Sequence, residues 1–151
     1  MTGITITMTT PTQITIFSVT PASQVVNAIN TYQFDLTFVF PHWSGDRVIV
    51  SFPDGLFLSS GFQCLAVTTG VTISCYQSSP IILEVNFAIT NGSTIGQLSF
   101  RVTQVNNNWF SSTRTLSMQT TTNDSSYYYV ETGQSTVNFV PTTLTASALS
   151  N

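Results

Sequence analysis

His42 is the only histidine in the chain, and what stands near it limits the chemistry it could do. With Asp46 and one of the many serines it could supply the base and orienting carboxylate of an acyl-transfer triad. No nucleophile elbow or comparable local context accompanies it. His42 and Asp46 are too sparse for a metal site, and no Asp-x-Asp calcium loop occurs. Glycoside cleavage would need two of Asp35, Asp46, Asp54, Glu84, Asp124 and Glu131 to converge, and their spacing gives no sign of it. No Gly-rich phosphate loop is present. The expectation is therefore no catalytic residue, no metal and no cofactor. His42 and Trp43, beside Pro41, are expected to close one end of the fold.

Cys64 and Cys75 are the only cysteines. Placed on a hairpin with Thr69-Gly70 at its tip, they stand directly opposite each other. Opposed Cβ atoms of an antiparallel pair lie about 4.5–5.5 Å apart, close to what a disulfide needs. The alternative is two buried free thiols, as in cytosolic proteins. A disulfide places the chain in an oxidising, extracellular setting. Two glycosylation sequons, at Asn91 and Asn123, agree with that location and fall in expected loops. Asn-Gly and Asn-Asp are also good turn formers without any sugar. Trp43, Trp109 and the run Tyr127 to Tyr129 lie in or beside expected loops. Trp43, Trp109 and Tyr128 could form an aromatic platform for a sugar ring or a protein contact; the competing role is closure of the open ends of the fold.

Composition decides which elements must carry these residues. Threonine and serine make up 45 of the 151 positions, nine residues are charged, and lysine is absent. Intracellular domains usually carry about a quarter charged residues. A hydrophobic fraction of 42%, with eleven phenylalanines, is ample for a core and excludes a disordered Thr-rich stalk. Arg47, Arg101 and Arg114 are scattered, so a nucleic-acid partner, which needs clustered cations, is excluded. No apolar run is long enough to span a bilayer as a helix. No basic n-region or continuous apolar run opens the chain, and the expectation is that a signal was removed or that Met1 is internal to a longer precursor.

Nearly every apolar stretch has period two, the mark of a strand. Tyr32, Phe34, Leu36, Phe38 and Phe40 fall on one face, as do Leu83, Val85 and Phe87, and Leu98, Phe100 and Val102. Turn-forming runs separate them, among them Pro53 to Gly55, Thr69-Gly70 and Asn91-Gly92. The fold class expected is all-β: an immunoglobulin-like, two-sheet antiparallel sandwich of about seven to nine strands with Greek-key connections.

Three stretches carry a resemblance: Ser18 to Ala22 (SVTPA), Thr31 to Phe34 (TYQF) and Ser44 to Phe57 (SGDRVIVSFPDGLF). Together they resemble the opening of tandem immunoglobulin-like repeats in large extracellular surface and filament proteins of protists and bacteria. In that family a strand ending in Phe-Pro follows a Gly-Asp turn, and a short Cys-containing hairpin comes next. The match covers Ile14 to Cys75 and implies a structural or adhesive role. It brings no catalytic residues. Without lysine, a Lys–Asn isopeptide crosslink is impossible here.

The chain ends look alike at an offset of 130 positions: Thr2, Gly3, Pro11, Thr12 and Thr15 match Thr132, Gly133, Pro141, Thr142 and Thr145. Such self-similarity reads as a repeat. Residues 1–13 are then a strand or linker engaging a neighbouring unit, 14–141 the sandwich, and 142–151 the start of the next repeat. Ile4, Ile6 and Met8 alternate with threonines as an uncharged amphipathic strand. With Val137, Phe139 and Leu144 they form the expected assembly interface. Identical neighbouring units are the expected partners, in an extracellular filament or surface fibre. The alternative is an adhesin module that binds glycans or cells through its aromatics.

Overall fold

The computed structural model describes residues 10–107, 110–123 and 129–141. Eleven strands run through them: β1 (Thr12–Gln13), β2 (Ile16–Pro21), β3 (Ile29–Trp43), β4 (Arg47–Ser51), β5 (Phe57–Leu58), β6 (Cys64–Ala66), β7 (Val71–Ser79), β8 (Ile82–Ile89), β9 (Thr94–Asn106), β10 (Thr113–Thr121) and β11 (Tyr129–Asn138). No helix occurs among the described residues. One sheet has the order β1-β11-β10-β4-β8-β7; the other runs β2-β3-β9-β5, with β6 also on β9. The expected all-β sandwich is the architecture found. Its strands outnumber the expectation because β1, β5 and β6 are only two or three residues long. Pairing is antiparallel apart from β1 on β11 and an isolated bridge between Val25 and Val140.

Period two places the core. Tyr32, Phe34, Leu36 and Phe38 of β3 face Val48 and Val50 of β4, Leu83, Val85 and Phe87 of β8, and Leu116 and Met118 of β10 across the sandwich; all are buried. The rings of Phe34 and Phe100 stack at 4.9 Å between centroids, and Phe52 meets Phe34 edge-on at 6.5 Å. Each such side chain contributes roughly 1.5–3 kcal/mol through burial. Gly133 lets the chain from Ile14 into β2 cross close over β11: a Cβ there would stand 2.5 Å from Ile14 Cγ2 and 3.0 Å from Phe17 Cβ.

Two expectations are corrected. Phe40 leaves the inward row and is exposed, because the β3–β9 register shifts between Thr37 and His42. The cysteine hairpin does not form. The chain turns at Thr69-Gly70 as expected, but Cys64 pairs with Val102 in one sheet and Cys75 with Val85 in the other. The two cysteines are nonetheless bonded, with Cα atoms 6.1 Å apart. The disulfide therefore ties the sheets together at one side of the sandwich. The turn changes sheets because β6 finds its ladder on β9 and β7 on β8.

Candidate functional site

Three titratable side chains, His42, Asp46 and Glu131, converge at the end of β3. Asp46, in the tight turn after β3, accepts hydrogen bonds at Oδ2 from the Trp43 N–H at 3.0 Å and at Oδ1 from the Asn123 N–H at 3.0 Å. The same Oδ2 lies 2.9 Å from His42 Nδ1. On the other side of the imidazole, Glu131 of β11 places Oε2 at 3.7 Å from His42 Nε2, beyond hydrogen-bond range. Glu131 Oε1 accepts the N–H groups of both Val39 and Phe40 at 2.7 Å. His42 is 2% exposed and Glu131 0%. The rings of Phe38 and Phe87 wall the imidazole at 4.4 and 6.3 Å between centroids.

Glu131 explains the fate of Phe40. In an extended strand successive N–H groups point to opposite sides. Here two successive N–H groups converge on one carboxylate oxygen, so the strand is kinked, and Pro41 adds a residue with no N–H to return to the ladder. The four residues Phe38 to Pro41 lie opposite Gly96 alone. Phe40 is turned out and, with the outward Val39 and Trp43, forms an exposed apolar knuckle, Trp43 being 54% exposed. The buried acids act on the backbone. The imidazole is buried at 2% exposure.

The sequence carries one signal for the place of Glu131. Counting back by twos from the apolar Phe139 and Val137 passes Ser135 and Gly133 and arrives at Glu131, on the inward face. Such a buried charge is normally paired or hydrogen-bonded.

The other expected site residues are dispersed. Asn91 and Asn123 are exposed in turns, and the Asn123 side chain lies over Gly45. Val137 and Phe139, expected at the assembly interface, are instead packed in their own unit's core, 2% and 3% exposed, and have no surface to offer a neighbour. Trp43 is exposed at the knuckle; Trp109 and Tyr128 lie outside the described residues, as do Ile4, Ile6, Met8 and Leu144. Surface depressions are open, some with apolar linings such as Ile73, Phe87 and Ala88, others polar. One of about 500 Å³ is bordered by Gln13, Ser117, Gln119, Thr132 and Gln134. Among the described residues no three His, Cys, Asp or Glu side chains are grouped to hold a metal, and no helix is long and apolar enough to cross a membrane.

The sandwich resembles solved structures of low sequence identity. A cohesin module from a family 33 glycoside hydrolase of Clostridium perfringens ATCC13124 superposes with a TM-score of 0.55 at 11% identity, over 87% of this chain and 100% of that one. A non-cellulosomal cohesin from the hyperthermophilic archaeon Archaeoglobus fulgidus gives 0.50 at 12%, over 82% and 89%. BslA, a bacterial hydrophobin, gives 0.50 at 10%, over 84% and 100%. No family model matches the chain, and no curated protein matches it by sequence. At these identities the likeness concerns the fold.

Proposed function

We propose that this chain is a structural unit of an extracellular filament or surface fibre that joins identical units head to tail through its terminal strands. The observation that carries the reading is the N-terminal segment. Ile4, Ile6 and Met8 alternate with threonine in a stretch without charge, directly ahead of Thr12 and Gln13, which already pair with β11. Uncharged amphipathic strands are templates for pairing with another chain. Contacts made by one surface on a different surface of the next copy extend into open filaments when the rotation does not close. The Cys64–Cys75 disulfide, the absence of lysine and the hydroxyl-rich surface support an extracellular setting. The burial of the His42 array supports a role without catalysis.

Sedimentation velocity and negative-stain microscopy test the reading. The intact chain is expected to form linear polymers, and a chain lacking residues 1–9 to remain a folded monomer. An intact chain that is monomeric up to about 1 mM would end the proposal, since even weak millimolar pairing would register there.

The knuckle favours a second reading, an adhesin module. Phe40 and Trp43 are exposed on a backbone held by two buried carboxylates, and rigid aromatic side chains suit stacking against a sugar ring. A glycan array with wild type and Trp43→Ala decides it: binding lost in the variant supports a lectin-like role, and no binding by wild type removes it.

A further inference from the structure

We propose that the outer edge of β7 is the acceptor for residues 1–9 of a neighbouring copy; this rests on the filament reading above and names its junction. The other candidate edges are short or covered. β5 and β6 are two and three residues long. β11 is capped at one end by β1 and at the other by the bridge from Val140 to Val25. β2 ends in Pro21, and its Val19 N–H already donates to Ser135 Oγ of β11. β7 runs nine residues, VTISCYQSS, with no charge and no proline.

The hydrogen-bond parity of β7 shows which groups are open. Thr90 N–H donates to Gly70 O, and β7–β8 pairing continues in the same register from Val71↔Ile89 to Gln77↔Leu83. In an antiparallel ladder bonded and non-bonded pairs alternate. Thr72, Ser74 and Tyr76 are thus bonded to β8. The N–H and C=O groups of Val71, Ile73, Cys75 and Gln77 point away from it. The partner strand agrees: Phe87 O and Ile89 N are engaged by Gly45 and Ser44 on the far side of β8. The inward side chains at this edge are incompletely covered, Ile73 and Cys75 being half-buried.

The donor matches this edge in period and in chemistry. Ile4, Ile6 and Met8 would extend the inward row of Val71, Ile73 and Cys75, while Thr5, Thr7 and Thr9 would extend the outer row of Thr72 and Ser74. A chain cannot fill its own edge. A strand on the outer edge of β7 lies six strand spacings from β1, roughly 29 Å at about 4.8 Å each. The residues ahead of Thr12, numbers 1–11, reach at most about 40 Å when extended, leaving about three residues to lie along β7. The donor must come from a second copy.

Two variants of the full chain test the junction. Gln77→Pro removes an outward N–H and sets a ring on the edge, at an exposed side chain remote from the core. Ile6→Lys puts a charge on the apolar face of the donor. Each alone is expected to raise the concentration needed for polymers at least tenfold, with circular dichroism and melting temperature unchanged. Mixed in equal amounts, the two variants should form dimers and stop, because one good donor meets one good acceptor. If the proline perturbs folding, Ile73→Lys, an inward charge at the same edge, replaces it. Gln77→Pro and Ile73→Lys chains that polymerise like wild type overturn the assignment of the edge while leaving the filament reading standing. A wild-type chain that never polymerises overturns both.

Discussion

Glu131 carries two consecutive backbone N–H groups on one oxygen, so its removal is felt in the backbone before it is felt in charge. The two donors are part-buried, and each left without an acceptor costs about 1–3 kcal/mol, toward the lower end where water reaches it. Glu131→Ala is therefore expected to destabilise by about 2–4 kcal/mol. Glu131→Gln, which keeps an acceptor oxygen, should cost about half as much. Urea unfolding separates them: both midpoints fall at unchanged slope, and equal losses would show that the N–H bonds contribute little. Tyr32 gives the second test at this scale. Its hydroxyl donates to Asn107 Oδ1 at 2.8 Å, and burial raises the phenol above its usual 10.0. The folded state favours the neutral phenol. Its contribution to stability is complete below about pH 10 and is lost as the pH climbs from there through the raised folded value. Unfolding free energy should fall with alkaline pH in wild type and fall less steeply in Tyr32→Phe. Parallel curves would assign the slope to other groups.

At the scale of elements, the informative difference lies between β6 and β7. Both the hairpin inferred from the cysteine spacing and the observed corner bring Cys64 and Cys75 within bonding distance, so the bond was legible and its place was not. Spacing along the chain reports how far apart two residues are, not which third strand each will pair with. The bond closes a loop of 11 residues, for which chain entropy gives about 3 kcal/mol. β6 contributes only three paired residues, partly exposed, so it leans on that bond. Reduction, or Cys64→Ser with Cys75→Ser, should lower stability by about 2–4 kcal/mol and deprotect the β6 amides first in hydrogen exchange. Loss of protection spread evenly over all strands would contradict a local role. Phe40 teaches the same lesson: period two predicts it inside, and a carboxylate from a strand 91 residues away turns it out.

For the whole molecule, solubility rests on hydroxyls and amides, because nine of 151 residues are charged. Ion pairs exposed to solvent weaken as salt rises, over a screening length of about 10 Å at 0.1 M. Here there are few to weaken. Stability and filament formation should both be nearly constant between 0.05 and 1 M sodium chloride, and both should rise in sulfate, which strengthens apolar burial. A strong loss of polymer at high chloride would point to a charged junction and away from β7, whose edge carries no charge.

The residue sequence by itself determined the strands, the two faces of each and the sandwich class, because alternation of apolar and polar side chains is a local property of an extended backbone. It also determined that charged side chains would be few. Only the tertiary structure decided the partner of each strand, the meeting of Glu131 with His42 and the corner between Cys64 and Cys75. Those depend on contacts between segments far apart in the chain, and period two is the same whichever neighbour a strand acquires.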